Sequence, residues 1–292
     1  MVLIDGSVVS ENILNKLQLT VAELKTPRKP GLAVVLVGQN PASQSYVGSK
    51  QKACERIGFV SFEHLLPETV TQEALASLID QLNADEKVDG ILLQLPLPKG
   101  LNEQELLERI SPSKDVDGFH PNNIGKLLLG LPGFWPCTPF GVYELLKAYT
   151  ISTQGKHVVI VGRSNIVGKP MASILVQKDP HANATVTICH SHTPNMEHLT
   201  QQADILIAAI GQPHFIKASM VKTGATVIDV GINRVEDSSS PKGYKIVGDV
   251  DFESVAKVAS ALTPVPKGVG PMTIAMLMTN TLKAFYNHTK GS

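Results

Sequence analysis

The sequence predicts an α/β fold in two domains, a smaller α/β unit followed by a Rossmann-like, doubly wound parallel sheet. Three observations predict it. The chain has 292 residues, 43% of them hydrophobic, which is more than one ordinary core holds and far from a disordered composition. In its second half, short β-branched runs alternate with helix-compatible stretches, and several runs end in glycine. Most of those runs are nearly continuous in apolar residues, as strands buried on both faces of a parallel sheet are.

The elements follow in order. Residues 32–37 (LAVVLV) read as a strand, 43–58 as a helix ended by Gly58, and 59–66 as a second strand. A helix over 71–84 is opened by Thr71, with Glu73 in its first turn. A third strand over 88–95 stops at Pro96 and Pro98. The Pro- and Gly-rich stretch 130–139 (GLPGFWPCTP) reads as a crossing between domains, followed by a linking helix over 140–149. Strands are expected at 157–162, 184–189, 204–211 and 225–231, with helices at 170–178 and 215–222 between them. Residues 237–244 (DSSSPKGY) form a polar loop. Residues 263–271 (TPVPKGVGP) make a second crossing, and a last helix over 272–286 returns to the first domain.

Charge and cysteine content narrow the function. Lys+Arg and Asp+Glu number 26 each, so no broad positive field exists for nucleic acid or an anionic membrane. No apolar run approaches the roughly 20 residues of a membrane span. Cys54, Cys137 and Cys189 are odd in number and far apart, which suits a reducing cytoplasm rather than a disulfide framework. The opening MVLIDGSVVS has no basic region and carries Asp5, unlike a signal peptide.

The loop Gly162-Arg163-Ser164-Asn165-Ile166-Val167-Gly168-Lys169-Pro170 follows a strand and opens a helix. Gly162 suits the tight turn, Gly168 close helix–sheet packing, and the helix N-terminus an anionic pyrophosphate. The spacing is not a strict GxGxxG, and an ordinary βα turn is the competing reading. The second strand ends Cys189-His190-Ser191-His192, without the carboxylate that would hold an NAD ribose. Arg163 with a hydroxyl such as Ser191 suits the 2′-phosphate of NADP instead. Cys189 alternates away from the two histidines and no further ligand cluster is near, so no metal is expected.

In the first domain Tyr46 and Lys50 stand at i,i+4 on one helical face, with Ser43 a turn back. That pair alone also fits an ordinary amphipathic helix. Gln94 lies inside the apolar run LLQLPLP at a strand's carboxyl end, where a polar amide needs a partner. Asp115-Val116-Asp117-Gly118-Phe119 is an acidic turn ahead of the first crossing.

The segments PASQSYVGSKQKACERIGF, DGILLQLPLP, KDVDGFHPNNIGKL, PCTPFGVYELL, GRSNIVGKP, TVTICHSHT and PVPKGVGPMTIAML occur in this order. Together they resemble the bacterial-type bifunctional methylenetetrahydrofolate dehydrogenase/cyclohydrolase family over nearly the whole chain. The resemblance implies a folate-binding catalytic domain over 1–139 plus 272–292 and an NADP-binding domain over 140–271. It implies oxidation of 5,10-methylene-tetrahydrofolate by NADP⁺ and hydrolysis of the methenyl product to 10-formyl-tetrahydrofolate. It assigns the main catalytic role to Lys50, folate stacking to Tyr46, support of Lys50 to Gln94, and the pterin edge to Asp117. Ser43, Pro264 and Gly268 fall beside the folate. Arg163, Ser164 and Ser191 fall on NADP, with Thr138 and Ile232 as further contacts. A homodimer through the second domain is also implied.

Chemistry agrees with these roles. A carboxylate can pair bidentately with a pterin edge, a phenol face suits a flat ring, and Lys52 or Arg56 could meet an anionic glutamate tail. Two positions depart from the family pattern: Lys267 replaces a glycine, and His192 stands where Arg or Lys is usual. A short-chain dehydrogenase also uses Tyr-x-x-x-Lys, but there the glycine loop precedes that helix, whereas here it follows. A non-catalytic binding protein of the same fold would not need Lys50, Gln94 and Asp117 together.

Overall fold

A computed structural model describes residues 1–240 and 243–289. The Pro241-Lys242 step of the expected polar loop lies outside the described residues. The chain divides into two compact units. One comprises Met1–Ser10 and Thr138–Thr273, the other Glu11–Cys137 and the chain from Ile274 onward.

The chain begins with β1 (Val2–Leu3) and α1 (Gly6–Ala22). Then come β2 (Gly31–Val37), α2 (Pro41–Ile57), β3 (Val60–Leu66), α3 (Gln72–Ala84) and β4 (Gly90–Leu93). The second of the two units is built on these three strands, all parallel, in the order β3-β2-β4. Central β2 is buried along its whole length, which is why it reads as an unbroken apolar run. Thr71 caps α3 as its sequence position suggests, its hydroxyl accepting from Ala74 N at 3.2 Å. Leu75, Ile79 and Leu82 of α3 pack with Val35, Ile91 and Leu93 of the sheet. Short helices α4 (Glu103–Arg109) and α5 (Pro121–Leu128) follow.

Helix α6 (Cys137–Ala148) leads to β5 (His157–Val161), α7 (Gly168–Leu175), β6 (Thr185–Cys189), α8 (Met196–Thr200), β7 (Ile205–Ala208) and β8 (Thr226–Asp229). The antiparallel pair β9 (Asn233–Glu236) and β10 (Tyr244–Val247), α9 (Phe252–Val255), β11 (Ala261–Leu262) and α10 (Val269–Thr289) complete the chain. The main sheet of this unit is parallel throughout, in the order β1-β11-β8-β7-β5-β6.

Two features differ from the sequence reading. The helix expected over 215–222 is reduced to a single 3₁₀ turn, Ala218–Met220. Ile216 is drawn instead into a parallel bridge with Val250, its N–H donating to Asp249 O at 2.9 Å and its carbonyl accepting from Asp251 N at 2.8 Å. The first ten residues, placed by sequence in the catalytic domain, join the six-stranded unit because β1 pairs with β11, Val2 opposite Ala261. Ile4, fully buried, anchors that edge.

Asp89, just before β4, ties together the three-stranded unit, which is as long as the other and not the smaller one the sequence suggested. It is fully buried and takes both guanidinium nitrogens of Arg28 at 2.6 and 2.8 Å. It also accepts from Gly31 N at 2.8 Å and lies 3.1 Å from His288 Nδ1. Asp89→Ala leaves these donors facing an apolar wall. Because Arg28 can still reach water, the expected loss is about 2–3 kcal/mol rather than the larger figure for a fully enclosed pair. A lowered urea midpoint with an unchanged slope checks it.

Candidate active site

Helix α2 starts at Pro41, and Asn40 Oδ1 accepts from Ser43 N at 3.2 Å, so its first turn is capped from the preceding loop. Ser43 and Lys50 are buried on this helix and Tyr46 is half-buried. Lys50 is only 7% exposed. Its Nζ donates to Gln94 Oε1 at 2.8 Å. Gln94 Nε2 in turn donates to Leu95 O at 2.7 Å, which turns the amide oxygen towards the lysine. The amide after β4 therefore has the partner that its apolar setting demands. Burial holds the Lys50 amine below the ordinary lysine range, opposed by the negative charge of Asp117.

Asp117 is half-buried in the turn after Asp115. Burial raises its carboxyl above the ordinary range, while the Lys50 charge and a hydrogen bond with Cys137 pull it down. Its neighbour Asp115 is structural. That carboxylate accepts from Gly118 N, Phe119 N, His120 N and Asn123 Nδ2 at 2.8–3.1 Å, and burial still pushes it up to about 7. Asn280 on α10 closes the turn, donating to Val116 O at 2.8 Å and Trp135 O at 3.0 Å. The Cys137 thiol donates to Val116 O at 3.3 Å. Cys137 and Asn280 carried no motif in the sequence, and only their contacts disclose the part they play.

The three-stranded unit thus gathers Lys50, Gln94 and Asp117, with Ser43 and Tyr46 on the same helix as Lys50. Pro264 and Gly268 belong to the other unit, in the turn between β11 and α10. Lys267 there has a left-handed backbone, φ +84°, a conformation that favours glycine. Arg56 does not fit the role of a free cation for an anionic tail: its guanidinium is bound by Glu11 and, at 2.7 Å, by Asn15. Lys52 is exposed on the same helix.

At the carboxyl ends of β5 and β6 lies the glycine loop. Gly162 has φ +134°, and a Cβ on Gly168 would collide with the Gly162 carbonyl oxygen. No other residue lets the loop fold this tightly against its helix. The first amides of α7 are not all open, as the sequence suggested. Ser164 Oγ accepts from Val167 N at 3.1 Å and Gly168 N at 3.4 Å, and its carbonyl accepts from Lys169 N at 3.1 Å. The hydroxyl proton of Ser164 is left to donate. Arg163 and Ser191 are exposed at the same edge, and Ile232 is exposed in the loop after β8. Thr138 Oγ1 lies 3.0 Å from Thr273 Oγ1, at the start of α6. Among the described residues no group of His, Cys, Asp and Glu could hold a metal ion, and no helix is long and apolar enough to cross a membrane.

Two buried aspartates shape this edge and were not read from the sequence. Asp249 accepts from Ile210 N, Gly211 N and Gln212 N at 2.6–3.0 Å, fixing the loop after β7. Asp229, at the end of β8, accepts from Gly231, Asp249 and Val250 amides at 2.9 Å, and burial pushes it up to about 7. The polar residue closing the run VID was their one sequence signal.

Residues 4–117 match the catalytic-domain model of tetrahydrofolate dehydrogenase/cyclohydrolase, and residues 136–289 match the NAD(P)-binding-domain model of the same enzymes. The chain is 56% identical over 289 residues to the bifunctional protein FolD of Prosthecochloris aestuarii, covering 98% of each chain. Among solved structures it resembles the FolD enzyme of Campylobacter jejuni, at 52% identity, a TM-score of 0.92, and coverage of 98% and 99% of the two chains. It also resembles the Trypanosoma brucei enzyme complexed with NADP and an inhibitor, at 40% identity, a TM-score of 0.94 and 99% coverage of both. With matched models over both units and full-length relatives above half identity, the chain belongs to the tetrahydrofolate dehydrogenase/cyclohydrolase family.

Proposed function

We propose that this protein oxidises 5,10-methylene-tetrahydrofolate with NADP⁺ and hydrolyses the resulting 5,10-methenyl cation to 10-formyl-tetrahydrofolate. The observation that carries the reading is the buried Lys50 amine, oriented by a Gln94 amide whose direction Leu95 sets, with the Asp117 carboxylate acting on the same charge. Asp117 pairs with the pterin edge, Tyr46 offers its ring face, and Ser43 lies beside the pocket. Pro264 and Gly268 are read as further folate contacts.

The residues at the glycine loop fit NADP. Gly162 packs its Cα against the Ala209 carbonyl and Gly168 against Gly162, which holds the loop tight at the helix start. Arg163 and the hydroxyls of Ser164 and Ser191 supply donors suited to a phosphate, and Ile232 supplies an apolar contact. When bound, NADP⁺ accepts the hydride. The protein's part in that step is orientation. In hydrolysis, water attacks the methenyl carbon and the neutral Lys50 amine takes its proton. The carbon–N5 bond then breaks as the Lys50 ammonium returns that proton to N5, and the remaining hydroxyl proton leaves to solvent as the formyl carbonyl forms, so the cation and water yield the neutral product and one proton. Gln94 accepts one N–H throughout, leaving the amine lone pair free for the water.

Incubation with methylene-tetrahydrofolate and either coenzyme, following methenyl and 10-formyl products, tests the reading. Absence of NADPH formation overturns it. Arg163→Ala is expected to raise the KM for NADP⁺ about tenfold and leave that for NAD⁺ nearly unchanged, because a charge-assisted phosphate contact is lost. Equal effects on both coenzymes would exclude Arg163 from the phosphate site. We further read the protein as a cytoplasmic homodimer paired through the six-stranded unit, which sedimentation of the purified chain checks.

A further inference from the structure

Strands β5 and β6 run in register, Val161 opposite Cys189, so the residues that leave them emerge together. They bring Arg163, His190 and His192 to one edge of the sheet. The two imidazole rings meet edge-on, centroids 6.2 Å apart. Backbone bonds hold the turn: His190 N donates to Thr193 Oγ1 at 2.9 Å, and His192 N donates to His190 Nδ1 at 3.2 Å. An accepting Nδ1 places the His190 proton on Nε2 and keeps that ring neutral. Burial, Arg163 and His192 all hold His190 below the ordinary imidazole range. A second proton on His190 would also break the bond from His192 N.

His192 is placed differently. It is exposed, and its ring nitrogens have no hydrogen-bond partner among the described residues. The neighbouring elements carry few competing charges. On α7, Lys169 Nζ is engaged by Asn165 Oδ1 at 2.7 Å. On α8, Glu197 and His198 follow, the latter 2.8 Å from Gln202 through Nε2. A phosphate drawn to Arg163 would thus meet one ring held as a neutral acceptor and one whose nitrogens are open to it. Opposite charge at that range favours the charged imidazole, and histidine is the side chain whose charge changes between pH 5 and 8.

We propose that His192 is a proton-gated recognition residue for the 2′-phosphate of the coenzyme, taking up a proton from solvent as the phosphate docks beside Arg163. His190 is its positioning residue, fixing the turn as a neutral acceptor. The inference rests on the NADP reading and adds a pH dependence to coenzyme choice: selection of NADP⁺ over NAD⁺ weakens as pH rises. NADP⁺ affinity is expected to fall several-fold between about pH 6.5 and 8.5 while NAD⁺ affinity stays level.

Calorimetry of the full chain with NADP⁺ and with NAD⁺ at pH 7.5, in buffers of different ionisation enthalpy, tests it. The expected result is net proton uptake with NADP⁺ and none with NAD⁺. The phosphate's own titration has the opposite sign, since binding to a cation releases its proton. His192→Ala should abolish the uptake and weaken NADP⁺. His192→Lys should bind NADP⁺ without uptake and flatten the pH dependence. Uptake that persists in His192→Ala, or is absent from the unaltered protein while NADP⁺ is still preferred, overturns the proton gate alone. If the unaltered protein binds NAD⁺ as tightly as NADP⁺, and Arg163→Ala weakens both alike, the NADP reading fails and the gate with it.

Discussion

Lys50→Met is expected to reduce hydrolysis of the methenyl cation to its rate in buffer while the protein still binds folate. General acid–base groups contribute about 10²–10⁴-fold, and the substitution removes the amine that takes the water's proton. Gln94 orients the amine but cannot titrate, and its Nε2 is already committed to Leu95 O. Methionine matches the length of the lysine stem and fills the buried space without a charge, so the fold should not weaken. Lys50→Arg should fail equally, because a guanidinium holds its proton throughout the working range. The pH profile gives an independent check. Burial lowers the Lys50 amine from the ordinary lysine value. Its neutral, proton-accepting form therefore appears at lower pH than a surface lysine allows, and hydrolysis should rise as pH climbs through that lowered value. Decay of methenyl absorbance in the variant is the measurement. A rate near that of the unaltered protein would reduce Lys50 to a packing residue.

How much of this was legible beforehand depended on the kind of signal. β2, β5 and β7 are buried along nearly their whole length, so continuous apolar runs marked them without ambiguity. Helix α3 announced itself by its cap. Helix α1 went unread, although Leu14, Leu17 and Val21 recur at helical spacing and are buried and Asp5 caps it, its carboxylate accepting from Ser7 N at 2.8 Å and Val8 N at 3.3 Å. Its Asp-Gly opening also reads as a turn, and β-branched residues interrupt its polar face. β1 and β11 are two residues each and carry no periodicity. The stretch around Ile216 has a helix-like composition, but its backbone is spent on Val250 across the sheet, a long-range competition that local propensity does not record. The chemistry-bearing residues were legible wherever a polar group sat in an apolar run, as Gln94 does. Supporting groups act on backbone far away in sequence, Asn280 by donating to carbonyls and Asp249 by accepting from amides, and no spacing rule reaches them.

Asp117→Ala is expected to damage both activities together, by about 100-fold in kcat/KM, since both reactions use one bound folate. A carboxylate paired with a pterin edge makes two charge-assisted bonds, and losing both costs about 3 kcal/mol. The loss should come without a loss of fold stability. Burial lifts the Asp117 carboxyl above its ordinary value. An acid whose folded value is raised costs the folded state stability as pH rises from its ordinary value to the raised one, and the cost is constant above that. At pH 7 removal of the carboxylate therefore relieves a cost, partly offset by the lost attraction to Lys50, so thermal unfolding of the variant should begin no earlier than in the unaltered protein. The same raised value puts an acid limb on folate binding: affinity should fall as pH drops through it, and the limb should vanish in Asp117→Ala. Hydrolysis and dehydrogenation measured on one preparation decide the case. If only hydrolysis falls, Asp117 acts on the Lys50 proton rather than on the pterin. If both fall with an early unfolding transition, its place is in the turn that Asn280 closes and not in the pocket.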